Sequence, residues 1–84
     1  MRNMSQIEEV VKTLNKKDIK DIITKNISFL VEPQILFYAK KRNRVTGYLE
    51  VNGRHYRFEL IFSKDNSVSI TVGELIVFGN GDLK

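Results

Sequence analysis

Apolar residues recur along this chain in two different rhythms. Ile7, Val10, Val11 and Leu14 follow helical spacing and form one stripe. Ser5 and Glu8 make an S-x-x-E capping box just ahead of it, which predicts a helix start. The next apolar residue, Ile19, falls about 140° off that stripe at 100° per residue. The helix is therefore expected to break or bend near Asn15 to Lys17. Asp18 predicts the cap of a second short helix, with Ile19, Ile22 and Ile23 inward. Asp21 near its start and Lys25 at its end agree with the helix dipole. The segment reads as an αα-hairpin over residues 5–25.

From Ile27 the rhythm becomes that of strands. Asn52-Gly53 is a two-residue turn signal, because both central residues of such a turn take positive φ. Pairing around it sets Val51 opposite Arg54, Leu49 opposite Tyr56, Gly47 opposite Phe58 and Val45 opposite Leu60. That face is almost wholly apolar. The opposite face carries Thr46, Tyr48 and Glu50 against Glu59, Arg57 and His55. Turn chemistry and alternation agree here, so residues 45–62 are predicted as a hairpin.

A strand over Gln34 to Lys41 is expected before it, joined through Arg42-Asn43-Arg44. Aromatic and branched residues favour a strand there, although Pro33 is also compatible with a helix start, so residues 33–43 stay open between the two. The register before residue 45 stays open as well. An odd-length connection turns Ile35, Phe37 and Ala39 inward, and an even one turns Leu36 and Tyr38 inward. A shorter strand is expected over Ile27 to Val31. After a turn at Lys64 to Ser67, Val68 to Val72 alternates cleanly. Gly73 marks a bulge or tight turn before Glu74 to Phe78. The expectation is one α+β domain over residues 1–84: a helical part, an antiparallel β-meander of four to five strands over 27–78, and a loose tail over 79–84.

Composition narrows the function. An 84-residue chain with 42% hydrophobic and 29% charged residues is an ordinary small globular domain. It contains no cysteine, which removes disulfides, thiolate metal sites and thiol nucleophiles. Its polar N-terminus does not read as a signal peptide, and its longest apolar stretch, Ile27 to Ala39, is interrupted and too short for a membrane span. A cytoplasmic protein without membrane association is expected. His55 is the sole histidine and faces Glu50 across the hairpin, which reads as a surface pair. No phosphate-cradling loop or carboxylate cluster appears. These features point away from an enzyme and from any cofactor or metal.

Charge points toward a binding role. The net charge is +4 with a pI near 9.5, and the excess is concentrated in residues 27–63. Lys40, Lys41, Arg42 and Arg44 form the densest run, at the tip of the first hairpin, and Arg54 and Arg57 follow on the next strand. Tyr48 lies opposite Arg57. An aromatic ring beside guanidiniums on a sheet is suited to single-stranded nucleic acid, since the ring stacks on a base while the cations track phosphates. The alternative is a protein partner or a homodimer. Two short helices cover one face of a sheet, and Ile35, Phe37, Ile61, Leu75 and Val77 are candidates for an apolar strip on the other.

Overall fold

A computed structural model describes residues 2–81. The elements are α1 (Met4–Thr13), α2 (Lys16–Asn26), β1 (Gln34–Lys41), β2 (Arg44–Val51), β3 (Arg54–Phe62), β4 (Ser67–Val72) and β5 (Leu75–Asn80). The strands form one antiparallel sheet in the order β1-β2-β3-β4-β5. The protein is therefore α+β with a β-meander, as expected.

The helix caps lie earlier than the sequence suggested. Asn3, not Ser5, caps α1, and Gln6 returns the bond to the Asn3 backbone. Asn-x-x-Gln and Ser-x-x-Glu satisfy the same geometry. The earlier pair prevails where the Arg2 N–H is docked on the Lys64 carbonyl at 3.0 Å. For α2, Asn15 is the cap and Asp18 is its third-turn-residue partner rather than the cap itself. The bend falls at Leu14-Asn15, within a residue of the expected place. Ile7 and Val11 on α1, and Ile19, Ile22 and Ile23 on α2, are buried. A pair of helices with a break between them is established. The closer helix-on-helix pairing of an αα-hairpin is not.

The β2–β3 hairpin has the predicted register throughout, from Val51 opposite Arg54 to Val45 opposite Leu60. Asn52 and Gly53 both have positive φ, 53° and 78°. The β4–β5 connection resolves into a two-residue turn, with Gly73 at φ 61° and Val72 opposite Leu75.

Three expectations are corrected. Ile27 to Val31 is not a strand, and the meander begins at Gln34. Ile27 ends α2 as a buried cap, Leu30 turns back to bond its carbonyl at 3.2 Å, and Glu32 takes a left-handed φ of 51°. The alternation of Ile27, Phe29 and Val31 is that of a loop with Phe29 and Val31 exposed. Residues 79–81 are also held: β5 pairs through Asn80 opposite Ser67, and the Gly81 N–H bonds the Asn66 carbonyl. The rest of the expected tail, 82–84, lies outside the described residues.

The third correction concerns β1. Its connection to β2 has two residues, so Lys40 and Tyr38 face inward opposite Val45 and Gly47. A bulge between Ile35 and Phe37 then reverses the parity, and Ile35 is the buried residue at the strand's start. Neither simple register describes the strand.

One apolar core lies between the inner face of the sheet and the helices. Val45, Leu49, Phe58, Leu60, Val68 and Ile70 from the strands are fully buried against Ile19, Ile22 and Ile23. The segment carrying α2 spans the sheet from edge to edge. Its start is tied to β1, where the Lys40 ammonium donates to the carbonyls of Lys12 and Leu14 at 2.8 Å each. Its end is tied to β5, where the Asn26 carboxamide bonds both the N–H and C=O of Asn80 at 3.0 Å. In the β3–β4 turn the Ser67 hydroxyl and backbone N–H donate to Asp65, holding its carboxyl below the usual carboxylate range.

Candidate functional site

The helices occupy the inner face, and among the described residues no element covers the outer face of the sheet. Residues paired across antiparallel strands lie on the same side, and this sorts the seven candidate residues. Lys41, Arg44, Tyr48 and Arg57 lie on the outer face, and Arg42 sits in the β1–β2 turn. Lys40 is on the inner side, where it caps α1. Arg54 shares the inner parity of Val51 and lines a groove at the other end of the sheet.

The outer-face cations differ in their availability. Arg44 bonds Glu59 at 3.1 Å, and Arg42 approaches Glu8 at 3.9 Å. Lys41, Arg54 and Arg57 have no ion-pair partner among the described residues. Arg42 takes a left-handed φ of 59°, a conformation costing a side chain about 1–2 kcal/mol relative to glycine. The neighbouring Asn43 is clamped to Phe62 by its backbone carbonyl and its carboxamide, both at 2.9 Å, which fixes the turn.

Tyr48 is the centre of the arrangement. Phe37 lies opposite it on β1 and Arg57 opposite it on β3, so three neighbouring strands carry Phe37, Tyr48 and Arg57 in one row. The two rings meet at 5.1 Å between centroids with a 40° tilt. Phe37 is 58% exposed and Tyr48 42%. With strands about 4.8 Å apart, the row is roughly 10 Å long. Glu50 and Glu59 lie beside Tyr48 and Arg57, and Arg44 neutralises the second. His55 is opposite Glu50 as expected, without an ion pair between them.

The sequence did not single out Phe37 for this site. Its outward direction follows from the two-residue connection between β1 and β2, a length that the sequence left open; the bulge at Leu36 acts beyond it and turns Ile35 inward. The other end of the outer face carries a second apolar feature, with Ile76 59% and Phe78 80% exposed on β5. Of the expected apolar strip, Phe37 is outward and exposed and Ile61 outward and half-buried, while Ile35 is buried and Val77 packs inward. A groove of about 590 Å³ lies between the loop after α2 and the inner rim, lined by Phe29, Leu30, Arg54, Tyr56 and Leu75 among others. Among the described residues, no group of three His, Asp or Glu could hold a metal, and no helix is long and apolar enough to cross a membrane.

No family model and no solved structure matches the chain. It is similar to a protein of Sulfolobus islandicus rod-shaped virus 1 described as "Uncharacterized protein 81". The two are 88% identical over 81 residues, which make up 96% of this chain and all of the viral protein.

Proposed function

The chain belongs to the family of this rod-shaped-virus protein, and from that premise we propose that it is a small, non-enzymatic binding module for single-stranded nucleic acid. The observation that carries the reading is the row of Phe37, Tyr48 and Arg57 across the open face. An aromatic pair exposed on a sheet offers π-faces to unstacked bases, and stacking of this kind tolerates any sequence. Arg57 lies opposite Tyr48 and has no ion-pair partner among the described residues, so its guanidinium is available to a phosphate. Lys41 and Arg42 extend the positive charge toward the β1–β2 tip. Lys40 and Arg54 take no part, because one caps a helix and the other faces the far rim.

Fluorescence anisotropy with short labelled single-stranded RNA, single-stranded DNA and duplex DNA tests this. Single strands are expected to bind more tightly than duplex, with affinity falling as salt rises. Phe37→Ala and Tyr48→Ala are each expected to weaken binding by about 1–3 kcal/mol per lost stack, roughly 5- to 150-fold. Arg57→Ala should reduce the slope of log affinity against log salt by about 0.7, one phosphate's share for a single strand. Equal binding by wild type and both ring variants would defeat the proposal.

A protein partner is the second reading, favoured by Ile76 and Phe78, exposed at the β5 edge of the same face.

A further inference from the structure

β5 is an edge strand whose hydrogen-bonding groups divide into two sets. The two-residue turn makes Val72 and Leu75 a hydrogen-bonded pair, and such pairs recur at every second residue. Leu75, Val77 and Gly79 therefore bond to β4, while Ile76, Phe78 and Asn80 turn their N–H and C=O groups outward. Asn80 confirms the phase, since its outward groups are the ones held by Asn26. Ile76 and Phe78 have no such cover among the described residues. An uncovered stretch of this kind is a template for another strand.

We propose that β5 pairs antiparallel with β5 of a second copy, about a two-fold axis through Val77. In this register Ile76 of each copy lies opposite Phe78 of the other. Each such pair exchanges two bonds, so four bonds use every outward group of Ile76 and Phe78 in both copies. The side chains come together on the outer face, where Ile76 and Phe78 now face solvent. Leu75 to Asn80 carries no charge, so the seam brings no like charges into contact although each copy is net positive. Glu74 meets Asn80 of the second copy and not its own counterpart. The open stretch ends at the Gly73-Glu74 turn on one side and the Asn26–Asn80 clamp on the other, just long enough for this symmetric pairing.

A second copy fits the strand better than an unrelated segment because the sequence around Val77 is its own complement, branched aliphatic Ile76 against aromatic Phe78 in both directions. The seam is narrow, and interfaces at the low end of stable size are weak. The expected species is a reversible dimer in a ten-strand sheet. It stands apart from the nucleic-acid reading, since the row of Phe37, Tyr48 and Arg57 crosses β1 to β3 while the seam is at the β5 edge of the same face, and it is tested without nucleic acid.

Sedimentation equilibrium of the full chain across a wide concentration range is the experiment, with circular dichroism to follow the fold. The average mass is expected to rise from the 9.8 kDa monomer toward double that value. Ile76→Pro removes an outward N–H and leaves the bonds to β4 in place, and Phe78→Lys puts a charge on the seam. Both are expected to stay monomeric, whereas Leu36→Lys on β1 should dimerise like wild type. If Ile76→Pro fails to fold, Phe78→Lys carries the test. Val77→Cys, the single cysteine in an otherwise cysteine-free chain, should yield a disulfide-linked dimer under mild oxidant, and Thr46→Cys should not. A monomer at every concentration, or a dimer that survives Phe78→Lys, would overturn the proposal.

Discussion

The two edges of the sheet meet the same problem with different means. Each edge strand has a row of backbone groups that no strand covers. β1 is bent by a bulge at Leu36, ends in Lys40 and Lys41, and has Lys40 drawn across to the end of α1. Bulges and lysines are devices that keep an edge from recruiting another strand. β5 has neither a bulge nor a charge, and among the described residues cover of its outward groups is limited to its end, where Asn26 holds Asn80. One edge is closed by its own sequence and the other is left open over two residues. The same distinction separates the two exposed apolar groups: Phe37 packs on Tyr48 within the chain, while Phe78 has no ring beside it among the described residues.

The strongest way to break the contrast is at Gly47. A Cβ there would meet the Phe37 carbonyl oxygen, and the Phe58 ring at 2.8 and 2.9 Å. The bulged β1 is thus packed against a bare backbone, and neither a carbonyl nor a fully buried ring can give way cheaply. Gly47→Ala is expected to destabilise by about 3 kcal/mol, the upper range of overpacking, and to lower the melting temperature by roughly 15 °C. At Gly79 on the β5 side the nearest atoms to an added Cβ all belong to the Asn26 side chain, and a smaller loss for Gly79→Ala in the same thermal scan would confirm that the rigid packing is at β1.

Lys40→Met probes the β1 edge without changing its backbone. It removes two bonds from a charged donor to helix-end carbonyls, and a loss of about 1.5–2 kcal/mol is expected in urea denaturation. A midpoint equal to wild type would show that the carbonyls find water as readily as the ammonium.

The smallest effect, and the most informative for β5, is expected of Asn26→Ala. Its carboxamide bonds Asn80 twice and the Ile22 carbonyl once. These partners are near solvent, so about 1 kcal/mol is expected from urea denaturation. The outward groups of Ile76 and Phe78 are not touched by this change, so self-association in sedimentation should stay as in wild type while stability falls. A loss of stability without a change in self-association would sharpen the comparison between the edges.

Much of this fold was legible along the chain because it rests on local rules. The phase slip between Leu14 and Ile19 marks the break between the helices, since a helix cannot keep both residues on one stripe. Asn52-Gly53 sets the β2–β3 register, and the alternation of Val45, Gly47, Leu49 and Val51 agrees with it residue by residue. Gly73 announces the last turn. These signals act over a few residues, and sequence carries them directly.

The candidate site was less legible. Tyr48 and Arg57 were placed together by the hairpin register, but Phe37 joins them only because the connection between β1 and β2 has two residues, a length the sequence left open. The cation run from Lys40 to Arg44 looks uniform in sequence, yet its members are divided between a helix end, Glu8, Glu59 and solvent. Charge and alternation are properties of the chain itself, so the sequence determined the two helices, the central hairpin, the last two strands and the basic character of the first tip, but not the loop at Ile27 to Val31 or the choice of strand over helix for β1. Which side of the sheet each cation serves, where the edge strand bulges and which edge stays open were decided by the tertiary structure. Those outcomes depend on contacts between residues far apart in the chain, such as Asn26 with Asn80 and Lys40 with Leu14, and no local pattern encodes them.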